Sequence, residues 1–278
     1  MKSLVKIWIY SNLHIALIAF FLSLECNYIF GIPQDIKSPL FVFFSTIFIY
    51  NLGYYRTILF GDKGQREAAN WMKEHRSYWI FSMLIALIAI SYIYSAYNLN
   101  IQLTLIVLTG ISVSYVIHDI NILGYRFSIR NIPMLKTVIV SAIWALVTVL
   151  PQLIEYELFD TTPWKIVLAE RFLFILPITL MFDVRDQFSD PLSLKTLPKL
   201  IGVKFTKAIA ITSLALSYVL FLRLQFPIQI NIIMMLVFIL MLIMILKSSS
   251  NRGEFYYSAC FDGLIGIHAL VVLGYYWA

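Results

Sequence analysis

Nine long apolar stretches separated by short polar segments divide this chain, and no other feature restricts its fold as strongly. They cover residues 7–28, 39–60, 78–97, 101–118, 135–154, 164–182, 203–222, 228–246 and 256–276. A helix of about 20 apolar residues crosses the hydrocarbon core of a bilayer, where only helices and closed barrels satisfy their backbone hydrogen bonds. The sequence therefore predicts an all-α membrane protein with nine transmembrane helices, forming a single domain over residues 1–278.

Composition agrees with a membrane protein. Of the 278 residues, 60% are hydrophobic and 13% are charged, and the mean hydropathy is +0.83. Soluble globular proteins carry about 25% charged residues, and one soluble core could not bury so much apolar surface. The first stretch contains Asn12 and His14 and lacks a small-residue cleavage site, so we expect a retained helix rather than a signal peptide.

The distribution of basic residues predicts the orientation in the membrane. Lys and Arg are enriched in the cytoplasmic loops of membrane proteins. Most of the 21 lysines and arginines lie at the N-terminus or in the polar segments 61–77, 119–134 and 183–202, which share one side of nine alternating helices. We therefore expect the N-terminus inside, the C-terminus outside and these loops at the cytoplasmic face, which in a bacterium is that of the inner membrane. The net charge of +6 reflects this arrangement and indicates no nucleic-acid partner.

An acidic cluster follows the sixth apolar stretch. Asp183, Asp186 and Asp190 are spaced so that a continuing helix places all three carboxylates on one face. Like charges this close repel one another unless a cation lies among them. Mg²⁺ prefers carboxylate oxygens and commonly links them to substrate phosphates. The alternative is a solvated helix end balanced by Arg185 and the lysines beyond, but the position at the end of an apolar helix on the loop-rich face favours a metal site.

The cluster also carries a family resemblance. The run DVRDQFSD, followed by Lys195-Thr196-Leu197-Pro198, resembles the second aspartate-rich motif of the UbiA superfamily of intramembrane prenyltransferases, which reads DxxDxxxD with a later T-L-P. The segment from Tyr125 to Thr137 is similar to the superfamily's loop into its fifth helix. Nine helices with the N-terminus inside is the architecture of that superfamily. The resemblance therefore implies a UbiA-like bundle.

The same resemblance implies a reaction, partners and site residues. Members bind a prenyl diphosphate through Mg²⁺ and transfer the isoprenyl group to a hydrophobic acceptor, often an aromatic ring or quinone precursor. By this resemblance the catalytic metal ligands are expected to be Asp183, Asp186 and Asp190. The implied diphosphate partners are Arg126, Lys136 and Lys195. Asn12, in the cytoplasmic half of the first helix, is expected either to line the substrate cavity or to form an interhelical hydrogen bond.

The chain departs from the superfamily pattern at the end of the second helix, where a first motif, NDxxDxxxD, belongs. Asn51 matches the leading asparagine and is a candidate substrate-binding residue. The three aspartate positions hold Leu52, Tyr55 and Leu59, which cannot bind Mg²⁺. Arg56 is a candidate to contact a phosphate directly as a point charge.

Two interpretations follow from this departure. In one, the chain is a divergent prenyltransferase that uses one metal cluster and compensating basic groups. In the other, it is a non-catalytic or divergent UbiA-fold membrane protein that binds an isoprenoid or another membrane lipid. A transporter is a less suitable third class, because the sequence contains no internal repeat. No residue selects the prenyl length or the acceptor.

Three acidic residues remain inside predicted helices, where ionisable groups are functional-site hypotheses by default: Glu25, Glu170 beside Arg171, and Asp262. Glu25 is expected near the outer interface. Asp262 is expected to face the interior of the bundle or to lie near the cytoplasmic surface.

Overall fold

The computed structural model describes residues 2–59, 67–117, 120–122, 125–127, 135–160, 162–188 and 195–278. In chain order these residues form α1 (Lys2–Tyr10), α2 (Leu13–Ile29), α3 (Lys37–Leu52), α4 (Tyr55–Leu59), α5 (Glu67–Glu74), α6 (Arg76–Ser95), α7 (Leu99–Val116), β1 (Ile120–Ile122), β2 (Tyr125–Phe127), α8 (Leu135–Glu155), α9 (Trp164–Asp186), α10 (Leu197–Leu222), α11 (Ile228–Lys247), a π-helix (Tyr256–Phe261) and α12 (Asp262–Trp277). The strands β1 and β2 pair in antiparallel register, with Asn121 opposite Arg126.

The fold is a helical bundle that crosses a membrane several times. Within the described residues, six helical segments are long and apolar enough to span it: α6, α7, α8, α10, α11 and the continuous segment Tyr256–Trp277. Two shorter apolar helices, α2 and α3, belong to the same bundle. Large apolar side chains such as Phe81, Ile88 and Leu236 are exposed on the outer helix faces, as expected where lipid is the solvent. The chain is therefore an integral multi-pass membrane protein.

Two of the short connections expected from the sequence are present. The Asn98 side chain caps α7 by accepting a hydrogen bond from the Ile101 backbone N–H at 3.1 Å, which fixes the tight turn after α6. Pro227 immediately precedes α11 and fixes the turn after α10, because proline presets φ without needing an N–H partner.

The first apolar stretch is not one helix, in contrast to the single span expected over residues 7–28. Asn12 adopts φ 61°, in the left-handed region, and separates α1 from α2. Asparagine enters this region more readily than other non-glycine residues because its short polar side chain can hydrogen-bond locally. The break directs the side-chain amide of Asn12 into the interior of the bundle.

Two further helices are interrupted. Gly202 has φ 82° and ψ 158° and bends α10 between a short leading segment and the long span, a geometry that glycine adopts without a Cβ clash. The π-helix Tyr256–Phe261 precedes α12, and the Asp262 N–H donates to the carbonyl of Tyr257, five residues back. Each interruption changes which residues face the interior.

The core lies where α9 packs between α8 and α10, with α2 and α12 alongside. Its main cluster joins residues from these helices, including Phe174, Met181, Tyr257 and Phe261, all fully buried. The core holds α9 in place, and the C-terminal end of α9 carries the aspartates.

A buried charge network lies deeper in the bundle. Arg171 Nη2 is 3.0 Å from Glu25 Oε2. The ring nitrogens of His268 lie 3.6 Å from Glu25 and 3.4 Å from Glu170, and Ser217 donates to Glu170 at 2.8 Å. His268 therefore lies between the two carboxylates, with one ring nitrogen facing each of them. Glu25 is only 1% exposed, so its carboxylate lies inside the protein.

Arg171→Met is expected to destabilise the protein, because it leaves the buried Glu25 carboxylate without its arginine partner. Breaking a buried ion pair by removing one partner typically costs about 3–5 kcal/mol. The thermal midpoint of the purified protein in detergent should fall by several degrees. Arg223→Met is the control, since Arg223 is exposed at the end of α10. Equal midpoints for the two variants would contradict a stabilising role for the network.

Candidate functional site

A cavity of about 640 Å³ opens inside the bundle. Asn12 and Asp183 line it at one end, and Ala19 and Ile175 line it further along the same two helices, α2 and α9. Because an α-helix rises 1.5 Å per residue, these pairs lie roughly 10–12 Å apart along the bundle. The cavity therefore has a polar end near the beginning of α8 and the end of α9, and an apolar end deeper in the bundle.

Asp183 is held by two residues at the beginning of α8. The Lys136 Nζ atom lies 2.7 Å from its Oδ1, and the Thr137 hydroxyl donates to its Oδ2 at 2.7 Å. Asp183 is 1% exposed and lines the cavity. A carboxylate this buried needs such partners, because burying an unpaired charge is costly.

Asp186 is held by its neighbour in the chain. Arg185 donates to both carboxylate oxygens, from Nε at 2.7 Å and from Nη2 at 3.0 Å. The guanidinium carbon lies 4.6 Å from the centre of the Phe182 ring and 5.4 Å from that of Tyr257. Cation–π contact and the bidentate pair together fix this arginine at the cavity wall.

Asn12 and Asn51 form a buried amide pair. Asn12 Nδ2 donates to Asn51 Oδ1 at 2.7 Å, and Asn51 Nδ2 donates to the Ser82 hydroxyl at 2.9 Å. Trp79 Nε1 donates to the Asn51 carbonyl at 2.7 Å. Asn12 lines the cavity and also forms an interhelical hydrogen bond. Asn51 is fully buried behind Asn12 and supports it rather than lining the cavity.

The remaining predicted site residues are Lys195, Arg56, Arg126 and Asp190. Lys195 is exposed just before α10 and is not among the cavity-lining residues. Arg56 belongs to α4 and Arg126 to β2, but their side chains are outside the described part of the chain, as is Asp190. The helix α9 ends at Asp186, and the prediction that Asp190 shares a helix face with the other two aspartates lies outside the described residues.

The cavity has acidic residues that the motif pattern did not predict as site residues. Glu254 and Asp262, on either side of the π-helix, line the same cavity as the motif aspartates. Near the expected first motif, the lining residues are Tyr54, Tyr55 and Thr57, which carry no carboxylate. Thr137 was missed as a site residue because its contact with Asp183 depends on where α8 and α9 meet. For Asp262, the signal in the sequence was an acidic residue inside a predicted helix.

The helix α5 closes the polar end through Ala68 and Ala69, which line the cavity. It is joined to α1 by the Tyr10 hydroxyl, which donates to Glu67 at 2.8 Å. This hydrogen bond, and after it the charge of Lys6, holds the pKa of the Glu67 carboxyl below its ordinary value. The link is therefore present at neutral pH and is lost as acidification protonates Glu67.

The donor set fits a magnesium ion that binds together with a phosphate-bearing ligand. Within the described residues, no three His, Cys, Asp or Glu side chains lie close enough to hold a metal by themselves. Mg²⁺, however, is usually bound by one or two carboxylates plus substrate phosphates and water. Asp183 and Asp186 supply two carboxylates, and a carboxylate oxygen that accepts one hydrogen bond has a second lone pair for a metal.

Solved structures share this fold. A UbiA homologue from Aeropyrum pernix K1, in its apo form, aligns with a TM-score of 0.63 at 11% identity, covering 93% of this chain and 95% of that one. A UbiA homologue from Archaeoglobus fulgidus bound to GPP and Mg²⁺ aligns with a TM-score of 0.63 at 15% identity, covering 97% and 100%. A structure of digeranylgeranylglyceryl phosphate synthase aligns with a TM-score of 0.60 at 14% identity, covering 99% and 98%.

These alignments establish the architecture over nearly the whole chain. The protein has the fold of the UbiA superfamily. A comparison with protein-family models finds no match, and a comparison with curated proteins finds none.

Lys136→Met is expected to increase the affinity of the protein for Mn²⁺ alone, because it removes the cation that neutralises Asp183. A gain of about tenfold, equivalent to about 1.4 kcal/mol, is expected from loss of one close opposite charge. Mn²⁺ binding is measured by electron paramagnetic resonance. Lys165→Met, at an exposed lysine next to Trp164, is the control. An unchanged affinity in Lys136→Met would mean that Lys136 does not compete with a metal for Asp183.

Proposed function

We propose that this protein is a UbiA-type integral membrane prenyltransferase that transfers an isoprenyl group from a prenyl diphosphate to a hydrophobic acceptor, assisted by Mg²⁺. One observation carries the proposal. A polar cavity end built from Lys136, Asp183, Arg185 and Asp186 opens directly into an apolar cavity, as an amphiphilic diphosphate requires. The fold match to homologues described as bound to GPP or DMAPP with Mg²⁺ supports the same assignment.

In the proposed reaction the diphosphate binds at the polar end. Bound Mg²⁺ would act there as a Lewis acid that offsets the charge of the leaving group. Asp183 and Asp186 would hold it, and Asp190 is the proposed third ligand. The ammonium of Lys136 and the guanidinium of Arg185 add fixed positive charge where negative charge develops as the allylic C–O bond breaks.

Lys136 has two roles in this proposal. Without a diphosphate, its ammonium neutralises Asp183 at 2.7 Å. A diphosphate that arrives with its metal supplies both the cation for Asp183 and the anion for Lys136, so the ion pair can exchange partners without leaving a buried charge unpaired. Arg56, Arg126 and Lys195 are proposed to contact the diphosphate from the loops.

The proposed topology completes the assignment. We propose nine membrane spans, by adding α2, α3 and α9 to the six segments that qualify on length and composition. The N-terminus would lie inside and the C-terminus outside. The polar cavity end would then face the cytoplasm, at the inner membrane of a bacterial cell. The acceptor would enter the apolar cavity from the bilayer.

The second candidate function is binding of an isoprenoid or membrane lipid without catalysis. The observation that favours it lies at the first motif, where Leu52, Tyr55 and Leu59 provide no metal ligand. The motif aspartates are also already neutralised, Asp183 by Lys136 and Asp186 by Arg185. Under this alternative the cavity would hold an isoprenoid tail and no diphosphate would be released.

Binding of GPP to the purified protein tests the proposal. We expect Mg²⁺ to increase the affinity for GPP, and Asp186→Asn to remove most of that dependence because one of the two described carboxylates is lost. Isothermal titration in detergent measures both affinities. Asp160→Asn is the matched control, since Asp160 is exposed after the end of α8.

The outcomes separate the two functions. Mg²⁺-dependent binding with release of diphosphate would support transfer. GPP binding that does not respond to Mg²⁺ or to Asp186→Asn, without diphosphate release, would contradict transfer and support the non-catalytic alternative.

Filling the apolar end is expected to discriminate between prenyl lengths. Ala19 is 1% exposed and lines the cavity, so Ala19→Phe places a ring where the longer tail would lie. We expect GPP affinity to fall at least about tenfold and DMAPP affinity to change little, because overpacking costs about 1–3 kcal/mol only where the tail is present. Competition binding measures both. Ala208→Phe, on an exposed face of α10, is the control; equal losses for the two substrates would place the tail elsewhere.

A further inference from the structure

Asp262 differs from the other carboxylates of the cavity whose contacts are described above. The motif aspartates accept hydrogen bonds from Lys136, Thr137 and Arg185. Within the described residues, no hydrogen bond reaches the carboxylate of Asp262. His14 Nε2 lies 3.7 Å from its Oδ2, an ion-pair distance that is too long for a hydrogen bond.

The position of Asp262 follows from the π-helix before it. A π-turn contains one residue more than an α-turn, so it rotates all later residues by about 100° relative to a regular helix. Asp262 is the first residue after this insertion and lines the cavity. The residue as a whole is 9% exposed, and 13% of its side chain is accessible. The insertion therefore places a largely desolvated carboxylate at the cavity surface.

His14 is held in a fixed orientation beside this carboxylate. Its Nε2 lies 3.0 Å from the carbonyl oxygen of Ser258 and also faces Asp262. Both neighbours are acceptors, so Nε2 is the protonated nitrogen of the ring. The guanidinium of Arg185, which is paired with Asp186, also acts on Asp262, and Tyr50 is the hydroxyl near it from α3.

The two kinds of carboxylate suit different tasks. Hydrogen-bond donors and cations stabilise the anionic form, so the motif aspartates are suited to remain anionic beside a metal and a diphosphate. A desolvated carboxylate without hydrogen-bond donors takes up a proton more readily, which is the requirement for a general base. Within the described cavity, Asp262 combines this environment with access to the ligand space.

On the basis of the transfer reaction proposed above, we propose that Asp262 is the general base that takes the proton of the acceptor, and that His14 is its positioning residue. The allylic C–O bond breaks and its electron pair stays on the diphosphate. An electron pair of the acceptor forms the new bond to the prenyl carbon. The proton that the acceptor then loses moves to a carboxylate oxygen of Asp262. The acceptor class is a neutral molecule that carries a removable proton, such as a hydroxyl or an activated ring C–H.

Labelling with dicyclohexylcarbodiimide tests the proton-accepting role without any substrate. This apolar reagent adds to carboxyl groups that can take up a proton: the proton moves to a reagent nitrogen, and the carboxyl oxygen adds to the central carbon. Mass spectrometry of the digested protein locates the adduct. We expect Asp262 to be labelled at least about fivefold faster than Asp183 or Asp186, with labelling increasing as the pH falls.

Two variants test the assignment further. His14→Gln can still donate to the Ser258 carbonyl but removes the imidazole, so Asp262 should be labelled faster at a given pH because the N–H group that faces its carboxylate is lost. In an assay with GPP and p-cresol, Asp262→Asn should lower the rate of transfer about 100-fold, and the affinity for GPP should change far less.

The results that would contradict the role of Asp262 differ from those that would contradict the proposed transfer reaction. Equal labelling of the motif aspartates, an unlabelled Asp262 over the whole pH range, or an unchanged rate of transfer in Asp262→Asn would overturn the assignment of the base. Absence of GPP binding in the wild type would instead contradict the transfer reaction. The labelling is read without GPP, so it decides the role of Asp262 whichever acceptor the protein uses.

Discussion

The bilayer gives no hydrogen bonds to the chain inside it, and this constraint organises every polar residue of the bundle. Each buried charge must find its partner within the protein or from a ligand, because the cost of an unpaired charge in a dry interior is several kcal/mol. Glu25 and Glu170 meet this requirement by lying next to Arg171 and His268. Asp183 satisfies it with Lys136, across the junction of α8 and α9.

The same constraint is met differently in the charge network around Arg171 and in the cavity. The network around Arg171 is closed by its own residues and lies away from the cavity lining. At the cavity, the pairs can exchange partners with a ligand, since their cations match a diphosphate and their carboxylates match a metal. Among the described residues none donates a hydrogen bond to Asp262, and His14 lies 3.7 Å from its carboxylate, so a bound molecule would supply the donor. The cavity is therefore polar where charge can be exchanged and apolar elsewhere.

Much of the bundle and part of the site could be predicted from the sequence. Apolar length and the DxxDxxxD spacing led to the UbiA fold, and the short turns at Asn98 and Pro227 were visible as local signals. The break at Asn12 was not, because one residue in the left-handed region leaves the apolar pattern unchanged. The π-helix before Asp262 was equally hidden, since it alters the register of a helix and not its composition.

The pairing within the site could not be predicted for a different reason. Thr137 and Asp183 are 46 residues apart, and only the packing of α8 against α9 makes them neighbours. The ion pair of Glu25 could not be predicted either, because its partner Arg171 lies on α9, far from it in sequence. Spacing predicts which side chains share a helix face, but the contacts between faces depend on the tertiary fold.

A structure of the protein with Mg²⁺ and a non-cleavable thio-analogue of GPP is the most direct test of the central claim. The account predicts the diphosphate between Lys136 and the carboxylates of Asp183 and Asp186, with the Lys136 ammonium moved from the aspartate towards a phosphate oxygen. The prenyl tail should extend past Ala19 towards the apolar end. An analogue bound outside this cavity, or bound inside it with the diphosphate away from these aspartates, would contradict the account.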